Sequence, residues 1–96
     1  MLTFEEAKKV GIRACVDKIG YDFCLAHKDN STSAYGEDDG IAKCFVGVSD
    51  APAHEYNIEE VEYLILTHKA DWPYFAHCDV DMATGEITFG ECKIPE

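Results

Sequence analysis

Cysteine and histidine are the residues in this sequence that could most readily bind a metal or carry out nucleophilic chemistry. The chain has five cysteines and four histidines, but none of the spacings C-x-x-C, H-x-x-x-H or H-E-x-x-H occurs. A zinc site would have to draw its ligands from separate parts of the chain, namely His68, His77, Asp79 and Cys92. No metal and no cofactor is therefore predicted, and a metal-binding or thiol-redox protein is kept as an alternative.

A catalytic nucleophile is not specified either. Nucleophilic catalysis needs a thiol or hydroxyl beside a base that a third group orients, and the spacing of the cysteines singles out none of them. No G-x-S-x-G motif and no glycine-rich phosphate loop occurs. The sequence therefore predicts a protein that is not an enzyme.

Residues 79–86 partly resemble a calcium-binding loop, because aspartates alternate at their start. An EF-hand loop needs glycine at its sixth position, where this chain has Thr84, with Gly85 one residue later. We interpret the segment as a hairpin turn, with Gly85 at the position that needs a positive φ.

Charge is unevenly spread along the 96 residues, whose net charge is −11. Residues 1–28 carry four acidic and five basic side chains, whereas residues 29–96 carry fifteen acidic and three basic ones. Direct binding to nucleic acid or to an anionic membrane is not expected, because both need a basic surface. The acidity fits a solvated surface, and it also fits an acidic face that docks on a basic protein partner.

The sequence indicates a cytoplasmic location. No apolar run approaches the ~20 residues of a membrane span, and the first residues, MLTFEEAKK, are acidic where a secretory signal is basic. An odd number of cysteines is not typical of a fully paired secreted framework, so reduced thiols are expected. If a signal had been removed, an extracytoplasmic location would fit the same residues.

Composition and length predict a single α+β domain over residues 1–96, with 47% hydrophobic residues. At its start, the spacing of Thr3 and Glu6 forms a capping box, and the helix runs to about Ile19, with Gly20 as its stop. Small residues recur along one side of this helix and would let it approach a sheet closely; they are Ala7, Gly11 and Ala14.

The helix is predicted to pack on a sheet of four or five antiparallel strands. We expect a strand at residues 21–27, a long loop at residues 28–40 and a central strand at residues 41–48. Residues 62–93 contain three alternating apolar runs and are predicted to form a C-terminal meander, whose first strand is expected at residues 61–68. A single helical turn at residues 57–60 would precede it.

Two turns predict the register of this meander, one at residues 70–73 and one at residues 82–85. One face then contains the apolar residues that a core needs. The predicted pairs are Leu66 with His77, Ile65 with Cys78, Val80 with Ile87 and Cys78 with Phe89.

The opposite face of the meander is less polar than a solvated sheet should be, and we predict that it binds a partner. Two alternatives stay open: the loop at residues 28–40 covers this face, or the register is shifted by one residue. The acidic run in the loop is a second candidate surface. The predicted partner-binding residues are Leu64, Leu66, His68, Phe75, His77 and Asp79 on the sheet, and Glu37, Asp38 and Asp39 in the loop.

Two short segments resemble the PepSY-like group of small α+β domains, whose fold is related to the cystatin-like one. Residues 2–7, LTFEEA, look like the capped opening helix of that family, and residues 80–87, VDMATGEI, look like its closing hairpin. The resemblance implies a non-catalytic binding or inhibitory module, of a kind often found beside peptidases and outside the cytoplasm. It implies no catalytic residue, because the family pattern contains none.

The predicted function is non-catalytic protein binding or inhibition through the exposed sheet face. The expected partner is a protein, and a homodimer joined through the sheet is one alternative. The alternative is a small acidic inhibitor that docks on a basic, nucleic-acid-handling protein. Its affinity would fall steeply as salt rises, whereas the affinity of apolar docking would not.

Overall fold

A computed structural model of the protein describes residues 1–49, 57–69 and 72–95. The first element is the helix α1 (Phe4–Ile19). Its start has the predicted capping box, because the Glu6 amide donates to the Thr3 hydroxyl at 3.2 Å and the Thr3 amide donates to the Glu6 carboxylate at 2.9 Å. Gly20 ends the helix with a φ of 128°, a conformation that favours glycine.

Four antiparallel strands form the sheet, and their order is β1-β2-β3-β4. The predicted fold class is confirmed: the N-terminal helix packs on a four-stranded antiparallel sheet whose C-terminal strands are in meander order. The predicted central strand is confirmed too, since β2 lies between β1 and β3. The strands are β1 (Ser31–Asp38), β2 (Ile41–Val48), β3 (Tyr74–Asp81) and β4 (Ile87–Lys93).

Two segments before β2 differ from the prediction. Residues 21–27, predicted as a strand, form the short helix α2 (Tyr21–Ala26) for most of their length. Residues 28–40, predicted as a loop, contain a 3-10 turn (Lys28–Asn30) and the strand β1. Because β1 is polar along most of its length, its strand conformation follows from pairing with β2 rather than from an apolar pattern.

The prediction of a strand at residues 61–68 is wrong, because most of this segment belongs to the helix α3 (Ile58–Leu66). Asn57 caps α3 by accepting a hydrogen bond from the Glu60 amide at 2.9 Å. The helical turn predicted at residues 57–60 therefore starts correctly but continues to the end of α3. Ile58 and Val61 are buried, at the i, i+3 spacing of a helix face.

The strand beside β3 is β2, which takes the place predicted for residues 61–68. Phe45 of β2 lies opposite His77, and Cys44 lies opposite Cys78. The predicted outer strand of the meander therefore does not exist, and two of the predicted pairs are wrong. These are Leu66 with His77 and Ile65 with Cys78.

The hairpin between β3 and β4 has the predicted register. The Asp81 amide donates to the Glu86 carbonyl at 2.9 Å, and Gly85 has the predicted positive φ, 81°. Of the other predicted turn, residues 70 and 71 lie outside the described residues. The confirmed pairs are Val80 with Ile87 and Cys78 with Phe89.

Helix α1 covers one face of the sheet, mainly over β2 and β3. Gly11 marks its closest approach, since a Cβ atom there would collide with the Cys44 Sγ and lie 3.1 Å from Val80. The close approach that the small residues predict is thus confirmed. The buried residues on this face, here called the α1 core, are Ala7, Cys15, Ile19, Cys24, Ala42, Cys44, Val46, Val48, Ala76, Cys78, Val80 and Met82.

Helix α3 covers the other face, over β1 and β2. Its core is smaller and more aromatic than the α1 core. Within the described residues, no helix is both long and apolar enough to cross a membrane. The buried residues of this second core, here called the α3 core, are Ala34, Phe45, Ile58, Val61, Trp72 and Phe75.

Candidate functional site

The six residues predicted to share an outer sheet face lie on one helix, one strand and the turn that follows the helix. Leu64 and Leu66 belong to α3, and His68 follows its end with a positive φ of 58°. The remaining three lie on β3, on the face that α3 covers. Since the register that grouped them is wrong, their role in partner binding stays a prediction without that geometric support. Those on β3 are Phe75, His77 and Asp79.

Phe75 and Leu66 show how far this group is separated. Phe75 is fully buried, with its ring centroid 6.0 Å from that of Phe45. Leu66 is 79% exposed. Phe75 is thus covered within the chain by the α3 core, to which residues 28–40 contribute Ala34 of the strand β1 and not a loop.

His77 and Asp79 form a polar end of the face covered by α3. The His77 ring lies over Gly90 of β4, where a Cβ atom would be 2.7 Å from Nδ1. In the described part of the chain, the buried His77 Nε2 and Asp79 Oδ1 have no hydrogen-bond partner. Both side chains lie on the same face of β3, but within the described residues they do not belong to a group of three or more possible metal ligands.

The zinc ligand set considered from the sequence is not assembled. Cys92 packs against the α1 core, whereas His77 lies on the opposite face of the sheet. Among residues 1–49, 57–69 and 72–95, no group of three or more histidine, cysteine, aspartate or glutamate side chains could hold a metal ion.

Three buried thiols meet where α1 crosses β2 and β3. The Sγ atoms of Cys15 and Cys78 are 3.5 Å apart, and Cys15 also approaches the Cys44 carbonyl at 3.8 Å. The hydrogen bond with Cys15 raises the pKa of Cys78 to about 12, and the hydrogen bond with Cys78, followed by burial, raises the pKa of Cys44. Cys44 and Cys78 therefore stay protonated at neutral pH, and all three buried thiols pack as small apolar side chains.

The acidic run lies at the hairpin between β1 and β2. Asp39 and Gly40 both have positive φ, 52° and 78°, and together they form a two-residue turn that exposes the three carboxylates. Gly36 permits Ile58 of α3 to pack on β1, since a Cβ atom there would lie 2.6 Å from the Ile58 Cγ2. This contact brings the first turn of α3, with Glu59 and Glu60, beside the hairpin.

Lys43 lies within this acidic region. Its ammonium is 3.1 Å from the Glu62 carboxylate and 3.8 Å from that of Asp38. The hydrogen bond with Glu62 raises the pKa of Lys43, while partial burial opposes the shift. The lysine therefore links α3 to β2 and neutralises part of the acidic surface.

Among the described residues, a groove that was not predicted from the sequence lies between α1 and β1. Because α1 lies over β2 and β3, it leaves its side of β1 partly uncovered. The groove has a volume of about 420 Å³, within the usual range for ligand sites. We call it the α1–β1 groove, and its lining is Lys8, Lys9, Ile12, Arg13, Val16, Tyr21, Ser33 and Tyr35.

The α1–β1 groove combines an apolar floor with a basic rim. Tyr35 is 47% exposed, and the Lys8 ammonium lies 4.3 Å from its ring centroid. The Arg13 guanidinium lies 4.9 Å from the Tyr21 ring. Three of the eight basic side chains of an acidic protein thus line one groove. Lys8 is paired with Glu5 at 3.1 Å and Arg13 with Asp17 at 3.0 Å, so the positive charge of the rim is partly offset within α1.

The outer edge of β1 adjoins the groove. The Ser49 amide donates to the Asn30 carbonyl at 3.2 Å, so the alternation of an antiparallel pair continues from this point along β1. Backbone groups of residues 32, 34, 36 and 38 face β2, and those of residues 31, 33, 35 and 37 face away from it. No other strand of the described residues pairs with this edge.

Two sequence signals could have revealed this site. Ile12 and Val16 are spaced i, i+4 and form a second apolar stripe on α1 beside Lys8, Lys9 and Arg13. In addition, an Asp-Gly dipeptide at residues 39–40 is a strong hairpin signal, and it predicts a strand before it as well as after it.

The chain was compared with protein-family models, curated proteins and solved structures, and no match was found in any of them. The resemblance to PepSY-like domains thus stays a prediction that rests on residues 2–7 and 80–87. Both segments have the predicted local structure, a capped helix start and a hairpin. Function has to be argued from the geometry of the chain itself.

Proposed function

We propose that this protein is a non-catalytic protein-binding module that takes an extended segment of its partner along β1. The observation that carries the proposal is the regular outer edge of β1, with which no other described strand pairs, beside an apolar groove with a basic rim. An extended segment that adds to a sheet edge gains main-chain hydrogen bonds, and pockets for alternate side chains give specificity.

The groove defines the side chains that such a segment would carry. Side chains of alternate strand residues point to the same face, so every second residue of the bound segment faces the α1–β1 groove. The apolar floor made by Ile12, Val16 and Tyr35 fits an aromatic or large aliphatic side chain. Lys9 and Arg13 at the rim favour an acidic side chain two residues away.

This proposal keeps the predicted class of function but moves the binding surface. Phe75 is buried under α3 and has no surface to offer a partner. The edge of β1 and the groove replace the outer face of the predicted meander. Leu66, exposed on α3, stays a separate apolar surface.

A titration with short labelled peptides tests the proposal. In one peptide, tyrosine and glutamate lie two residues apart and threonines occupy the positions between and beside them. The control peptide has lysine in place of glutamate. We expect the acidic peptide to bind more tightly, and the double variant Lys9→Glu, Arg13→Glu to weaken it by about tenfold or more, since charge pairs at an interface are worth on the order of 1 kcal/mol each. Fluorescence polarisation measures both affinities.

The matched control is Lys28→Glu, Lys69→Glu, which changes the net charge equally at exposed positions outside the groove. Equal loss of binding in both double variants would show that net charge, not the groove, determines affinity. Equal binding of the two peptides would remove the basic rim from the proposal.

A second candidate function, an acidic inhibitor that docks on a basic protein, is favoured by the packing of Ile58 on Gly36. This contact joins two acidic groups that are distant in sequence. Docking by charge would weaken steeply as the Debye length falls from ~10 Å at 0.1 M salt to ~3 Å at 1 M. Its test is a salt titration of binding to poly-lysine.

In that titration, the variant Glu37→Gln, Asp38→Asn, Asp39→Asn should bind poly-lysine more weakly than Asp29→Asn, Glu86→Gln, Glu91→Gln. Both variants remove three exposed carboxylates, and asparagine tolerates the positive φ of residue 39. If the two variants bind alike, the hairpin is not a docking site.

A further inference from the structure

We infer that the segment that adds to β1 is β1 of a second copy of this chain, so that two sheets join edge to edge in a symmetric antiparallel dimer. The inference rests on the proposed function, because it names the occupant of the same edge and groove. It is supported by the match between β1 of one copy and the α1–β1 groove of the other.

Symmetry limits the register of such a pair. The residues that face outward, 31, 33, 35 and 37, must bond to each other across the dimer. The register that uses all four places Ala34 opposite its own copy, which brings Tyr35 opposite Ser33 and Glu37 opposite Ser31. The contact is isologous, since each copy gives and receives the same residues.

The same symmetry places the right side chains over the groove. The side chains of Ser33, Tyr35 and Glu37 all face the α1 side, because they alternate with Ala34, which is buried in the α3 core. A two-fold axis perpendicular to the sheet keeps α1 on one side of both halves. Tyr35 of each copy therefore enters the groove of the other, beside the small Ser33.

Charge is complementary in this arrangement. The acidic end of β1, with Glu37, meets the opposite end of the second copy, where Arg13 and Tyr21 close the groove. Arg13 is bonded to Asp17 through its Nε at 3.0 Å, so Glu37 would share this guanidinium with Asp17. Each copy thus provides an aromatic residue and an acid two residues apart, which is the pattern that the groove favours. This local attraction opposes part of the repulsion between two chains of net charge −11.

The other edge of the sheet lacks this fit. β4 has a register shift beside Ala76 and Cys78, and it contains Gly90 and ends in Lys93. Bulges and lysines are features that oppose pairing at sheet edges. Within Ser31–Asp38 there is no lysine, no proline and no register shift, so β1 is the edge suited to pairing.

Sedimentation equilibrium over a range of protein concentrations tests the dimer. We expect a monomer–dimer equilibrium for the wild type. Ser33→Pro should abolish it, because proline removes an outward amide without removing a bond to β2. Tyr35→Ser should weaken the dimer by about tenfold or more, as expected for a central aromatic anchor. Circular dichroism should show that both variants stay folded.

Two further variants decide whether β1 is the interface. Tyr63→Ser removes an exposed tyrosine from α3 and should leave the equilibrium unchanged. Arg13→Glu should weaken the dimer, and the combination Arg13→Glu, Glu37→Arg should restore part of the lost affinity, because the exchanged charges again meet across the two-fold axis.

A wild type that stays monomeric up to about 1 mM, the limit of weak association, would overturn the inference. So would a dimer that Ser33→Pro and Tyr35→Ser leave unchanged. The peptide titration separates this outcome from failure of the proposed function: a monomer that binds the tyrosine–glutamate peptide in its groove keeps the function and loses only the dimer.

Discussion

The two faces of the sheet are covered in different ways, and the difference explains where the groove lies. On one face, small side chains bring α1 close to β2 and β3. On the other, α3 packs over β1 and β2 on large aromatic rings. Each helix covers only part of its face, so α1 leaves β1 open and α3 leaves the polar end of β3 less covered.

The faces also differ in what their cores tolerate. Packing of α1 on the sheet requires that Gly11 has no side chain, whereas the α3 core requires the large aromatic side chain of Phe45. Close packing makes both kinds of change costly, since a lost side chain leaves a cavity and an added one causes strain. Substitutions of each kind test whether the faces differ as proposed.

Phe45→Ala should have the largest effect. Phe45 is fully buried, with its ring centroid 4.7 Å from that of Trp72. Its truncation should lower the free energy of unfolding by about 3–5 kcal/mol, the usual cost for a buried phenylalanine. Urea denaturation followed by circular dichroism measures this change.

The adjacent residue provides the control for Phe45→Ala. Cys44 points to the opposite face and is equally buried, but Cys44→Ala removes only one heavy atom, for a loss of about 1 kcal/mol. If both substitutions cost the same, the α3 core does not depend on its aromatic residues, and the contrast between the faces fails.

Gly11→Ala should also destabilise the protein, although alanine favours helices by about 1 kcal/mol over glycine. The new methyl group would collide with the Cys44 Sγ, and overpacking of this kind costs about 1–3 kcal/mol. A net loss of stability in urea denaturation is expected.

The control is a substitution to alanine at a nearby exposed position of α1. Lys9→Ala lies on the exposed side of α1 and should change stability by less than about 0.5 kcal/mol. An increase in stability for Gly11→Ala would mean that α1 can move away from the sheet, and the close approach would not be a constraint.

The sequence predicts local features of this fold well. Capping at Thr3, the helix end at Gly20 and the turn at Gly85 each depend on a few adjacent residues, and all three are confirmed. The register of β3 with β4 follows from that turn, because hairpin pairing is determined by the loop that joins the strands.

The assignment of α3 failed for a physical reason. Val61, Tyr63 and Ile65 alternate as in a strand, while Ile58, Val61 and Ile65 follow a helical period. Short apolar segments of this kind satisfy both patterns. The strand that pairs with β3 is β2. Because these two strands are distant in sequence, the pattern of residues 57–69 alone could not predict that they pair.

The candidate site was missed for a related reason. The basic residues and the apolar stripe of α1 are visible in the sequence, but the groove exists only because α1 lies over β2 and β3 instead of β1. The strand conformation of β1 likewise depends on its partner strand. The local sequence pattern of α1 thus gives residues that line the α1–β1 groove, whereas the packing of α1 on the sheet determines that the groove exists.

Helix caps extend the comparison between the faces to smaller effects. Thr3→Ala and Asn57→Ala each remove a side-chain acceptor from a helix start, for an expected loss of about 1 kcal/mol. Amide hydrogen exchange should show faster exchange in α1 for the first variant and in α3 for the second. Exchange that rises in both helices at once would mean that the two faces unfold as one unit.

Capping at Thr3 also carries a pH dependence. The hydrogen bond from the Thr3 amide lowers the pKa of Glu6 below its ordinary value, so this contribution to stability is present above the unfolded pKa of about 4.3 and is lost as the pH falls through the lower folded pKa. The difference in stability between wild type and Glu6→Gln should therefore shrink on acidification. A constant difference would contradict the cap as its cause.

Lys43 should have the smallest effect, and it tests whether charge helps to hold α3 on the sheet. Its pKa is raised by Glu62, so its contribution is fully present below the unfolded pKa of about 10.4 and is lost as the pH rises through the higher folded pKa. Because both side chains are partly exposed, Lys43→Met should cost no more than about 1 kcal/mol at neutral pH. Glu62→Gln should match it, and the two losses should not add, since each removes the same ion pair. Additive losses in urea denaturation would show that Lys43 and Glu62 act separately, in which case apolar packing alone holds α3 in place.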